Sequence, residues 1–357
     1  MRISLAGTAV LLILAILIST SSTSVVSSAS SAISTGAPVE FSYRASSEWD
    51  LLLPSGLYYD TGPVVYHGGG FHMFYNCQYE WPPQEVSIMY AVSDDGVTWE
   101  RVSQNSIIAE RDIPYRVSYI LAGSAFVEND GTWVLYFCSQ SAPVLIGRAT
   151  APSPEGPWTV DPEPVLVPSV KGWDSYSVRR PDVVRVADGY RMYYLGIGQA
   201  GSMVGMASSS DGIHWTRYND PDTTDPLYAE SDPVFAVGEG GTGGLEPRYP
   251  RVVPAADGWL LFYWTSTPGW PQADPFAPTN GQIRLASSRD GVHWTSVQED
   301  PVLTPEDIGR DVSAIYTPCI VVRGDTYYMF LEKEIPLDTY NYYTRIVLAI
   351  HEGLIYP

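Results

Sequence analysis

The chain reads as an all-β protein and, within that class, as a five-bladed β-propeller. Three observations predict this. First, a turn phrase recurs as SDDGVTW at Ser93–Trp99, SSDGIHW at Ser209–Trp215 and SRDGVHW at Ser288–Trp294, with a weaker copy, SPEGPW, at Ser153–Trp158. Repetition at this spacing marks one supersecondary unit used several times. Second, an element of the form Pro-x-Val, Gly turn and aromatic-rich run also recurs. Third, 31 Gly, 29 Pro and 13% aromatic residues in 357, with few segments of helical period, suit short strands joined by tight turns.

The turn phrase is a hairpin corner. Asp-Gly makes the tight turn and the Trp opens the next strand. The Asp side chain can accept from nearby backbone amides, and the Trp can pack between blades. Asp95, Asp211, Asp290, Trp99, Trp215 and Trp294 are therefore assigned to structure.

The second element reads GPVVYHGGGFHMFY from Gly62, RPDVVRVADGYRMYY from Arg180, YPRVVPAADGWLLFY from Tyr249 and TPCIVVRGDTYYMFL from Thr317. A diverged copy, SAFVENDGTWVLYF, starts at Ser124. The anchors Pro63, Ala125, Pro181, Pro250 and Pro318 are 62, 56, 69 and 68 residues apart, about one blade each. Each blade runs from strand A through Pro-x-Val to strand B through the aromatic run. Strand C then enters the corner, and strand D starts at the Trp. The last copy ends in a shortened corner, His351 to Tyr356, so the ring is expected to close with an N-terminal segment such as Glu40 to Arg44.

Ahead of the repeats, Arg2 and the apolar run Leu5 to Ile18, followed by small residues, read as an export signal. Cleavage after Ala29 or Ala32 is expected, with a retained anchor as the alternative. The predicted organisation is a signal peptide over 1–32, a Ser/Thr-containing spacer and N-terminal segment over 33–54, and the propeller over 55–357. The protein is expected outside the cell, secreted or surface-anchored, and as a monomer.

With 40 acidic against 20 basic residues the formal charge is −20, which excludes a polyanion such as nucleic acid as the partner. Cys77, Cys138 and Cys319 each sit in an apolar strand-like run and are expected as buried free thiols.

In a propeller, strand-A starts and strand B–C loops gather at one mouth of the central channel. Those positions offer Asp60 in blade one, Trp173, Asp174, Arg179, Arg180 and Asp182 in blade three, and Glu246, Arg248 and Arg251 in blade four. The loops add Gln78, Tyr79, Glu80, Trp81, Trp264, Trp270, Glu332 and Glu334. Facing carboxylates over an aromatic-rimmed cavity suit glycosidic bond cleavage, one protonating the leaving oxygen while the other attacks or activates water. Asp60, Asp182 and Glu246 are the catalytic candidates. Asp174, Arg179, Arg180, Arg248, Trp81, Trp173 and Trp264 are the candidates for binding sugar.

The repeats resemble the five-bladed propeller glycoside hydrolases of families 43, 32 and 68, and 130. The stretch Glu163 to Gly196, EPVLVPSVKGWDSYSVRRPDVVRVADGYRMYYLG, carries the resemblance most clearly, and AGSAFVENDG at Ala122–Gly131 is similar to a second-blade segment of invertase-like enzymes. The resemblance implies hydrolysis of a poly- or oligosaccharide. It allows a structural calcium in the channel, although no metal-ligand spacing marks one, and no other cofactor is expected. The family pattern places an Asp before the blade-one Pro, where this chain has Gly62, and a second before the blade-three Pro, where it has Arg180. It places a Glu two before the blade-four Pro, where this chain has Arg248, with Glu246 two residues further upstream. Arginines at two of these positions would suit an acidic sugar such as a uronate. The alternative is a carbohydrate-binding or surface-displayed propeller without catalysis.

Overall fold

A computed structural model describes residues 38–44, 58–78, 86–102, 105–139, 144–236, 244–266, 281–336 and 342–356. All of them belong to the second of two units, 38–357, the first being 1–37. The predicted signal peptide lies outside the described residues. Among the described residues no helix is long and apolar enough to cross a membrane.

The strands form five sheets. A short strand β1 (Ser42–Arg44) precedes blade one, which holds β2 (Tyr58–Asp60), β3 (Val64–His67), β4 (Gly70–Gln78), β5 (Ser87–Ser93) and β6 (Glu100–Arg101). Blade two holds β7 (Ile120–Val127), β8 (Trp133–Ser139), β9 (Ile146–Ala151) and β10 (Thr159–Val160). Blade three holds β11 (Ser177–Val186), β12 (Gly189–Gly198), β13 (Gly201–Ser209) and β14 (Thr216–Arg217), with β15 (Pro233–Phe235) also on β13. Blade four holds β16 (Glu246–Ala255), β17 (Gly258–Ser266), β18 (Gln282–Ser288) and β19 (Thr295–Ser296). Blade five holds β20 (Ala314–Arg323), β21 (Thr326–Pro336) and β22 (Tyr342–Glu352), and β1 is its outer strand.

β1 pairs antiparallel with β22, Ser42 opposite Ile350. The expected N-terminal closure is thus present, and residues 38–44 belong to the propeller, so its boundary lies before residue 55. The innermost strands touch in a closed ring, β3 to β7 to β11 to β16 to β20 and back to β3. The core is divided among the blade interfaces. One hydrophobic cluster joins blades one and two, and others join two and three, three and four, four and five, and five and one.

The corners behave as their residues predict. In SDDGVTW the Asp95 carboxylate accepts from the amides of Val97 and Thr98, both at 2.7 Å, and Trp99 donates to the Gly96 carbonyl at 3.2 Å. Asp211 and Asp290 hold their corners in the same way.

Each corner ring also meets an aromatic ring of the preceding blade's strand B. Trp158 packs on Phe74, Trp215 on Tyr136, Trp294 on Tyr193 and Trp99 on Phe330, with centroids 5.7 to 6.0 Å apart and ring planes at 79–88°. Blade five has no corner Trp from its own repeat. Phe41, just before β1, takes that place and meets Phe262 at 5.8 Å and 88°. Edge-to-face contacts of this kind are worth about 0.5–1.5 kcal/mol beyond the area they bury. Two of the clasps gain a hydrogen bond: the hydroxyl of Tyr136 donates to the Gly212 carbonyl (2.6 Å) and that of Tyr193 to the Gly291 carbonyl (2.8 Å).

Inner strands are tied more sparingly. The Val183 amide donates to Ser124 Oγ (3.0 Å), the Val252 amide to Asp182 (2.6 Å) and the Val64 amide to Cys319 Sγ (3.1 Å). Arg251 Nε donates to the Pro318 carbonyl at 2.9 Å, and Asn76 bonds the backbone of Ile120 and Ala122. Cys77, Cys138 and Cys319 are buried and free, as expected, and burial pushes the Cys319 thiol up to about 11.

Tyr193→Phe leaves the Gly291 carbonyl without its buried donor and is expected to cost about 1–2 kcal/mol. Trp294→Ala removes a whole clasp and is expected to cost about 3–5 kcal/mol. Denaturant unfolding checks both.

Candidate active site

Four blades hold the same rung of the A–B ladder beside the channel. Asp60 pairs with Asn76, Arg179 with Leu195, Arg248 with Trp264 and Tyr316 with Glu332. The next regular rung is Val64 with Met73, Val183 with Met192, Val252 with Leu261 and Ile320 with Met329. By this register Gly62, not Pro63, is the counterpart of Pro181, Pro250 and Pro318. The sequence anchors are one residue out in blade one. A Cβ on Gly62 would lie 2.0 Å from the Phe74 carbonyl oxygen, so the chain needs glycine there.

Between these rungs in blades three to five lies a bulge. Its first residue has positive φ: 52° at Arg180, 53° at Tyr249 and 49° at Thr317. Each precedes a proline, which disfavours the right-handed helical region. A left-handed non-glycine residue costs on the order of 1–3 kcal/mol and persists only where the surroundings hold it. Here the bulge carries three side chains that build the site.

Arg180 reaches across the channel to Asp60. Its two terminal nitrogens donate to the two carboxylate oxygens at 2.7 and 2.6 Å. The arginine side chain is 6% exposed and the aspartate 21%. Burial works against the guanidinium charge, but Asp60 outweighs it, and Arg180 holds its proton more tightly than usual. Its guanidinium lies 4.9 Å from the centre of the Tyr249 ring. Tyr249 stacks on Trp264 at 5.4 Å, and Trp264 meets Tyr316 at 5.3 Å.

Glu332 stands behind Asp60. It is buried, accepts from the Thr61 amide at 3.1 Å, and hydrogen-bonds Asp60 and Thr317 through their side chains. Burial pushes its carboxyl well above the ordinary range. The Asp60 charge adds to that, and Arg180 and the Thr317 hydroxyl oppose it.

On the far side Glu246 accepts from Arg248 Nη2 at 2.7 Å, and both side chains are 8% exposed. Gly201, at the turn between β12 and β13, closes over Glu246: a Cβ there would lie 2.9 Å from Glu246 Oε1. Arg179 has its guanidinium destabilised by burial and then by the charges of Arg180 and Arg248.

Asp60, Arg179 and Arg180 are thus brought together, with Glu246 and Arg248 as a buried pair on blade four. Other expected residues are buried or bonded elsewhere in the blades. Asp182 lies beyond the bulge and ties blade three to blade four, accepting from the Val252 amide at 2.6 Å, with Arg251 at 3.8 Å. Counting alternate residues fails there because the bulge breaks the alternation. Asp174 is fully buried in blade three, accepting from Arg217 Nε and from the Tyr194 hydroxyl, both at 3.0 Å. Trp173 is equally buried; it donates to Ser231 and stacks on Tyr194. Trp264 is 0% exposed and serves as the floor beneath Tyr249 and Tyr316. Glu334 is occupied by Ser313 and Tyr316. Trp81, Tyr79, Glu80 and Trp270 lie outside the described residues. Thr317 and Tyr249, which sequence reasoning passed over, share one signal: each directly precedes an anchor proline. Among the described residues no group of three His, Cys, Asp or Glu could hold a metal ion.

The model of the glycosyl hydrolases family 32 N-terminal domain matches residues 53–237, just over half of the chain. The chain belongs to that family. The family 32 match covers Asp60, Arg179 and Arg180 and stops before Glu246 and Glu332. Two uncharacterized proteins of Mycobacterium tuberculosis, MT1551 (strain CDC 1551 / Oshkosh) and Rv1502 (strain ATCC 25618 / H37Rv), are each 29% identical over 174 residues, 47% of this chain and 52% of theirs. The chain spans about half the length of these curated relatives.

Solved structures share the fold. One described as a glycoside hydrolase aligns with a TM-score of 0.63 at 17% identity, over 83% of this chain and 88% of that one. A thermostable family-43 glycoside hydrolase gives 0.58 at 14%, over 85% and 92%. A glycosyl hydrolase from Bacteroides ovatus gives 0.56 at 14%, over 83% and 87%.

Asp182→Ala removes the acceptor of a buried amide and is expected to cost about 1–3 kcal/mol of stability. If Asp182 is a tie and not a reacting group, turnover per folded molecule, measured on any glycan the protein cleaves, should change less than about threefold, well short of the loss expected for a general acid or base.

Proposed function

We propose that this chain is an exported glycosidase that hydrolyses a poly- or oligosaccharide at the mouth of its channel, working as a monomer. The observation that carries the reading is Asp60: a partly exposed carboxylate on a channel strand of a family 32 propeller, with both oxygens aimed by Arg180. In this reading Asp60 attacks the anomeric carbon or activates water, and Glu246 protonates the leaving oxygen. Glu332 does not suit the donor role, because it is hydrogen-bonded to Asp60 itself, leaving no room for a sugar between the two groups.

Glu246 is paired with Arg248 in the free protein. A donor role requires substrate to draw Arg248 away and leave Glu246 protonated against the leaving group. The arginines read from the sequence as recognising an acidic sugar are likewise engaged by the protein's own carboxylates, Arg180 by Asp60 and Arg248 by Glu246. Export rests on the Arg2 and Leu5 to Ile18 pattern of the sequence.

One observation favours a second reading, a carbohydrate-binding propeller without turnover. Arg180 stands where the family resemblance implies an aspartate, and its fork saturates Asp60. Incubation of residues 38–357 with a glycan panel separates the two, scored by released reducing sugar and by retardation in affinity gels. The enzyme reading expects release, with Asp60→Asn and Glu246→Gln each lowering turnover by roughly 10²–10⁴-fold at little cost in stability. Retardation without release establishes the binder, and wild-type turnover in both variants discards the residue assignment.

A further inference from the structure

The contact between Asp60 and Glu332 has a chemical requirement. Two carboxyl groups in hydrogen-bond contact need a proton between them, since two carboxylates offer only acceptors and repel. Asp60 is not the group to hold it. Both of its oxygens take donors from Arg180, at 2.7 and 2.6 Å, an arrangement built for an anion. Glu332 is the buried member, 7% exposed, and receives neutral donors, the Thr61 amide and the Thr317 hydroxyl. We infer that Glu332 is protonated at neutral pH and donates its hydrogen bond to Asp60, making it the positioning residue that aims Asp60.

The groups that surround Glu332 agree with this. From β2 come Asp60 and, just beyond it, the Thr61 amide; from β11 comes Arg180; from β20 comes Thr317. Its cross-strand partners are Tyr316 on β20 and Ile346 on β22. Lys333 and Glu334 follow it on its own strand, and Arg345 is the rung after Ile346 on β22, opposite Lys333. The full positive charge aimed at the pair is Arg180, and its fork is spent on Asp60. Burial and the Asp60 charge both hold the proton on Glu332.

Losing that proton turns an attractive contact into a repulsive one, pushing Asp60 out of the Arg180 fork. The pair therefore gives activity an upper pH limit set by Glu332. Stability follows the same direction. The folded chain keeps the Glu332 proton to higher pH than the unfolded chain, so this contribution is full below the ordinary glutamate range and fades as pH rises through the raised value.

The proton can be read without turnover, so the test separates this inference from the glycosidase reading on which its activity arm rests. Difference infrared spectroscopy of residues 38–357 at neutral pH, wild type minus Glu332→Gln, should show the carbonyl stretch of a protonated carboxylic acid. Raising the pH should abolish it in the wild type. Asp182, which burial also pushes up, is common to both proteins, so any signal from it cancels in this difference. Asp60→Asn should move the Glu332 titration to lower pH, because the neighbouring charge is gone. Absence of the Glu332 band at neutral pH, or an unchanged titration in Asp60→Asn, overturns the inference. Where a substrate is turned over, Glu332→Ala should lower kcat at least tenfold with a smaller change in KM. Glu332→Gln should restore part of that loss and flatten the alkaline limb of the pH profile. An alkaline limb that persists in Glu332→Gln overturns the role.

Discussion

The structure depends on one repeated contact: a ring at the outer corner of each blade set edge-on against a strand-B ring of the blade before it. Each sheet alone would expose an apolar face, and only its neighbour can cover it. Trp99, Trp158, Trp215 and Trp294 make four of these contacts. The fifth comes from Phe41, brought into place by β1 on the edge of blade five. The N-terminal strand thus closes the ring by supplying the missing copy of the same contact. Since the strand-B partners Tyr136, Tyr193, Phe262 and Phe330 stand opposite Ser124, Asp182, Arg251 and Cys319, the clasp also sets where the inner strand sits.

That inner strand has room for a bulge, and the bulge turns a repeat into a site. At Arg180, Tyr249 and Thr317 the backbone is held in a conformation these residues disfavour, just before a proline. The cost falls in a scaffold whose blades are already clasped, so it can be carried. The same bulge sends Asp182 to a structural task while Arg180, two residues earlier, crosses the channel to Asp60.

The electrostatics of the site oppose those of the protein. In a chain of formal charge −20, the channel gathers Arg179, Arg180 and Arg248 around Asp60 and Glu246. Both Asp60 oxygens are taken by Arg180, and the buried Glu332 can stay neutral beside it. Burial and the neighbouring Asp60 charge raise the Glu332 carboxyl above its ordinary range.

Sequence alone determined the blade count, the corners and the buried thiols, because these rest on local chemistry: a turn that needs Asp-Gly, a ring that follows it, an apolar run around each Cys. It also located Asp60, Arg180 and Glu246 as residues near strand starts. It could not separate Asp60 from Asp182, since both are acids at matching parity and only the bulge distinguishes them. Nor could it show that Trp173 and Trp264 are interior, because a buried tryptophan and one that stacks on sugar look the same in one dimension. Glu332 stood among the loop acids with nothing to single it out. Its raised proton affinity comes first from burial and then from Asp60, 272 positions earlier in the numbering. Proton affinity depends on what surrounds a group in space, and that was decided only when the ring closed.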